Sequence, residues 1–85
     1  MSIEEIVETY GLGEVETNAL LSMLHWWQEG RMKDENLMDM AERKVKLSAT
    51  CRGLDPGDTK ARAETVVASY YRFQRENKSW LWKMK

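Results

Sequence analysis

The sequence predicts an all-α protein, a small helical bundle of three main helices plus a short N-terminal helix, and three observations carry that prediction. Apolar residues recur at spacings of three and four in four successive stretches. The five glycines and the single proline fall between those stretches, and no strand-like alternation of comparable length is present. With 85 residues, 42% of them hydrophobic, the chain supports one domain with a modest core, in a size range where self-association often adds stability.

The first helix is expected over residues 3–10. Ser2-Ile3-Glu4-Glu5 is a capping box, in which the serine hydroxyl accepts from the third amide and the glutamate reaches back. Ile3, Ile6, Val7 and Tyr10 share one face, and Gly11 supplies the stop. The second helix is expected over residues 14–29, with acids in its first turn and Gly30 as terminator. The third is expected over residues 35–52, capped by Asp34 and closed by Gly53, with Leu54 covering that glycine. The fourth is expected over residues 56–77: Asp55-Pro56-Gly57-Asp58 offers a start at Pro56 or, after a turn, at Thr59. Ala63, Val66, Val67, Tyr70, Tyr71 and Phe73 form its apolar face. Residues 78–85 then read as a helical extension or a docking segment.

The second helix carries Trp26 and Trp27 side by side, turned from each other by about 100°. Leu20, Leu24 and Trp27 form one line, and Val15, Ala19, Met23 and Trp26 form a second. Together they cover more than half of the circumference, wider than the stripe of a helix lying on a single core, so this helix is expected to be packed on two sides. Both tryptophans then serve as core, or the Trp26 line is a seam for a partner. The segment SWLWKMK raises the same question. If the last helix continues through it, Trp80 and Trp82 stand about 200° apart, and if it is extended they share a side. Trp26, Trp80, Trp82 and Tyr71 are therefore the candidate partner-binding residues.

Charge is unevenly laid out: residues 1–42 hold ten acids and two bases, residues 43–85 eleven bases and four acids. Such asymmetry reflects attraction between the halves, head-to-tail association, or a basic surface for an acidic partner. On the third helix Lys44 is bracketed by Leu37, Met40, Leu47 and Cys51, all on its apolar side. Its stem is expected along the core edge with the ammonium reaching water; the alternatives are a buried charge paired with an acid such as Glu16, or an anion-holding role.

Several chemistries find no support in the sequence. A lone Cys51 and a single His25 leave neither an internal disulfide nor a zinc ligand set, and no cofactor or metal is expected. No phosphate-cradling glycine motif is present, and no nucleophile stands beside a local base, so no catalytic residue is assigned. His25 and Glu29 read as a solvated i, i+4 pair, and Cys51 as a small core residue. No apolar run approaches the roughly 20 residues that span a bilayer, and MSIEEIVETYG is acidic where a secretory signal is basic and then apolar. A cytoplasmic chain without membrane partners is expected.

Arg43, Lys46, Arg72, Arg75 and Lys78 offer contacts for an anion or a nucleic acid, with Tyr71 as a stacking group. The third and fourth helices imitate a helix-turn-helix, yet their turn is long, and a pI near 5.8 falls short of a DNA-binding domain. The sequence thus points first to a non-catalytic protein-binding module, an adaptor, assembly factor or inhibitor of the kind phages and plasmids encode, acting through tryptophan-anchored helical surfaces, with a homodimer as one form. A nucleic-acid binder and a small-ligand binder or enzyme subunit are the alternatives.

Overall fold

The computed structural model describes residues 2–31, 36–55 and 57–83, with residues 77–83 described by their backbone alone. Among them stand four helices and no strands: α1 (Ile3–Tyr10), α2 (Glu14–Gln28), α3 (Leu37–Cys51) and α4 (Thr59–Lys83). The all-α bundle expected from the sequence is the fold.

The expected capping box opens α1. Glu5 N–H donates to Ser2 Oγ at 3.2 Å, and Ser2 N–H donates to Glu5 Oε1 at 3.3 Å. The helix closes at Gly11, whose φ of 63° is the left-handed geometry glycine adopts without strain. That turn lets Leu12 N–H reach Val7 O at 2.9 Å and buries the Leu12 side chain. At the start of α2, Glu16 Oε2 accepts from Gly13 N–H at 3.1 Å. One glutamate thereby satisfies a backbone donor that the glycine cap has no side chain to reciprocate.

The last helix begins at Thr59, the later of the two expected starts. Asp55 Oδ1 accepts from Gly57 N–H at 3.0 Å to hold a turn, and Asp58 Oδ1 then caps the helix by accepting from Ala61 N–H at 3.1 Å. The backbone of α4 stays helical through Lys83, so the SWLWKMK segment is a helical extension at least that far. At the other end of the connection, Gly53 turns the chain and Leu54 N–H bonds Ala49 O at 2.8 Å. The Leu54 side chain is 48% exposed. The cap expected at Asp34 lies outside the described residues, and Asn36 stands at the cap position of α3.

Packing is built around α2, which lies against both α3 and α4; α3 also packs on α4, and α1 lies on α4. Both apolar lines of α2 are filled by this chain: Leu20 and Leu24 on one, Val15, Ala19 and Met23 on the other, all buried. The two-sided packing read from the wide apolar arc is therefore correct. On α4 the buried face is Ala63, Val66, Tyr70 and Phe73, with Ser69 buried beside them and its hydroxyl donating to Thr65 O at 2.7 Å.

The face of α3 departs from expectation. Its buried line is Leu37, Ala41, Val45 and Ala49, spaced by four, while Leu47 is 57% exposed and the Cys51 thiol lies at the surface. The small residues of the inner line suit a helix pressed between two neighbours, because they let its backbone approach both. The bulkier stripe of Met40, Leu47 and Cys51 is thereby turned outward, with Met40 alone of the three still packed partly on the core.

The acidic and basic halves meet inside the fold. Glu14 at the start of α2 pairs with Arg52 at the end of α3, and Glu16 Oε1 faces Arg62 of α4 at 3.6 Å. The Glu14–Arg52 pair is partly exposed and contributes about 0–1 kcal/mol, while Glu16 is more buried and its pair with Arg62 is less open to solvent screening.

Candidate binding surface

The outward flank of the α2–α3 hairpin gathers most of the chemistry that the core leaves over. It starts at Trp26. Gly30, with φ 75°, ends α2 in a turn in which Arg31 N–H bonds back to Trp26 O at 2.9 Å. That closure returns Arg31 to the helix it has just left, and its guanidinium carbon lies 4.4 Å from the centre of the Trp26 ring. From α3, Lys44 Nζ lies 4.3 Å from the same centre. Both distances are within cation–π range, where the negative face of the indole attracts the cations.

The sequence question about the paired tryptophans is answered by these contacts. Trp27 packs against the core, with its ring edge-to-face on Tyr70 at 6.1 Å between centroids and 76° between planes. Trp26 instead sits partly buried at the rim, held by two cations. Lys44 is partly buried as well, and its ammonium rests on the indole. A buried pairing of Lys44 with Glu16 is not formed, because Glu16 is committed to Gly13 and faces Arg62.

Below Trp26, a groove of about 450 Å³ runs between α2 and α3, lined by Asn18, Ser22, Lys44, Leu47, Ser48, Cys51 and Arg52. Two cations and no acid line it. Asn18 is anchored by donating Nδ2–H to Glu14 O at 2.9 Å, and Arg52 is tied to Glu14 through one guanidinium nitrogen. Ser48 Oγ is buried and makes no hydrogen bond among the described residues. A buried hydroxyl without a partner is destabilising, so its presence beside the groove calls for an explanation.

The other candidate residues fall elsewhere. Tyr71 of α4 is 46% exposed, packs edge-on against Tyr70 at 5.8 Å and does not line the groove. Arg72 Nε donates to Glu76 Oε1 at 2.9 Å, and this bond, followed by the charge attraction of the same carboxylate and by contact with Tyr10 of α1, holds its pKa above the ordinary arginine value. Arg43 faces Asp39 at 3.8 Å; Lys46 and Arg75 are exposed. The groove between α2 and α3 includes none of the bases of α4. Lys78, Trp80 and Trp82 lie beyond the residues whose side chains are described. His25 Nε2 stands 3.6 Å from Glu29 with the imidazole 67% exposed, the solvated pair expected.

Sequence reasoning placed Lys44 among Met40, Leu47 and Cys51 correctly but assigned that stripe to the core. The signal it passed over was the line of small residues at 41, 45 and 49, which claims the inner face. Nothing in the sequence pattern pointed to Arg31, whose position depends on the Gly30 turn.

Among the described residues no helix is long and apolar enough to cross a membrane. Comparison with known proteins finds no family model, no curated protein and no solved structure that matches the chain. What the fold and the surface define is a small all-α bundle with a basic, hydroxyl-lined groove on one hairpin.

Proposed function

We propose that this chain is a small non-catalytic protein-binding module, an adaptor, assembly factor or inhibitor, that docks a segment of another protein on the outer face of the α2–α3 hairpin. The observation that carries this reading is the second apolar stripe of α3. The packing of α3 on its two neighbours does not use Leu47, which is 57% exposed, and here that leucine lines a groove whose Lys44 rests on the Trp26 ring. Helix-in-groove recognition uses such apolar anchors at helical spacing, and tryptophan and arginine are enriched where binding energy concentrates.

The nucleic-acid alternative draws less support, because Arg72 and Arg43 already answer acids of their own helices. The test compares capture by the wild-type chain with capture by Leu47→Gln, followed by titration of the purified captured protein. Binding that weakens tenfold or more in Leu47→Gln, at unchanged melting temperature, supports the reading. Equal binding by both forms overturns it. Light scattering alongside identifies the case in which the docked molecule is a second copy of this chain.

A further inference from the structure

We infer that the α2–α3 groove recognises a carboxylate, and that the segment docking on this hairpin is an acidic amphipathic one, its apolar face on Leu47 and an Asp or Glu side chain in the groove. The inference rests on the docking reading and specifies the chemistry of the partner. Three observations carry it.

First, the groove lining has two cations and no acid. Arg52 offers five N–H donors and Glu14 is bonded through a single nitrogen, so donors remain for a second carboxylate. The Lys44 ammonium has three donors and lies against an indole face, which accepts none of them as a carboxylate would. Second, Ser48 lines the groove and its buried Oγ makes no hydrogen bond among the described residues, so a turn about its Cα–Cβ bond that brings the hydroxyl to the groove surface would give it a carboxylate oxygen as acceptor. Third, the geometry suits a peptide. Lys44 on α3 and Arg52 at its C-cap are eight residues apart, about 12 Å along the helix axis, which spans roughly two turns of a docked helix. Leu47 stands between them at the groove edge, so apolar and acidic positions of the ligand alternate as they do on an amphipathic helix.

The Trp26 indole adds a positioning element. With Arg31 and Lys44 both on its ring, it anchors the lysine that also lines the groove. Trp26 is a positioning residue for Lys44 in this account.

The experiment uses the full chain, ¹⁵N-labelled, titrated with three probes: a short synthetic peptide rich in Glu and Leu, the same peptide with every Glu replaced by Gln, and free glutarate. The acidic peptide is expected to shift the resonances of Ser22, Ser48 and Arg52 and to lose affinity as salt is raised. Lys44→Met, which keeps the stem on the indole, is expected to weaken it about tenfold, and Lys44→Arg to restore it to within about threefold. Ser48→Ala is expected to weaken it about threefold or more while leaving the melting temperature unchanged or raised. Arg75→Gln on α4 is the control and leaves binding unchanged.

The outcomes separate the two readings. If the Gln peptide shifts the same resonances as tightly as the acidic one, docking stands and carboxylate recognition is overturned. If glutarate alone matches the acidic peptide, carboxylate recognition stands and protein docking is overturned in favour of a small-ligand site. If no probe moves the groove resonances, the inference fails, whatever the Leu47→Gln capture comparison shows.

Discussion

Replacing each of the adjacent tryptophans by alanine should separate two roles that the sequence leaves merged. Trp27 packs on the core and meets Tyr70, itself only 1% exposed, edge-to-face. Truncating a fully buried tryptophan costs about 3–5 kcal/mol. Trp27 is only partly buried, which lowers this to about 2–3 kcal/mol, of which about 0.5–1.5 is the aromatic pair. Trp26 contributes two cation–π contacts near the surface at about 0.5 kcal/mol each, so its loss should cost about 1 kcal/mol. A domain of 85 residues has roughly 4–13 kcal/mol in all. Trp27→Ala should therefore lower the melting temperature by about 10–20 °C and Trp26→Ala by about 4–8 °C. Circular dichroism at 222 nm during thermal and urea unfolding measures both. A double-mutant cycle of Trp26→Ala with Lys44→Met should return a coupling of about 0.5 kcal/mol. Trp26→Ala proving as costly as Trp27→Ala, or showing no coupling to Lys44, would refute the assignment of one ring to the core and the other to the rim.

Asp58→Ala removes the cap of α4 and should cost about 1 kcal/mol, seen as a melting shift of about 4–8 °C. Gly11→Ala meets no neighbouring atom, so any loss reports the backbone alone; at φ 63° about 1 kcal/mol is expected from urea unfolding. Glu16→Gln keeps an acceptor for Gly13 N–H and should cost less than half of what Glu16→Ala costs, with the difference between wild type and Glu16→Gln shrinking in high salt as the Arg62 attraction is screened. Leu47→Gln should change stability by no more than about 0.5 kcal/mol, because the side chain is already more than half in solvent; a larger loss would return Leu47 to the core.

How far the sequence carried can be judged from single elements. The Ser2 capping box, the Gly11 and Gly53 turns and the two-sided burial of α2 were all legible, because each is written in residues within a turn or two of one another. The start of α4 was legible only as a choice, since Pro56 suits a first helical position while Asp58 suits a cap; the hydrogen bond from Ala61 decides it. Tyr71 looked like part of the apolar face and proved nearly half exposed, because the face that Ala63, Val66, Tyr70 and Phe73 present was already sufficient.

The sequence by itself determined the number of helices, the capping box at Ser2, the glycine stops at Gly11 and Gly53 and the centrality of α2, all consequences of local periodicity and backbone preference. Which of the two apolar stripes of α3 points inward was decided only in the tertiary structure. Both stripes have helical spacing, and what distinguishes them is how closely α2 and α4 approach, a property of three helices together. That choice admits Ala41, Val45 and Ala49 to the core, turns Leu47 and Cys51 to solvent, and sets Lys44 on Trp26 at the head of the groove.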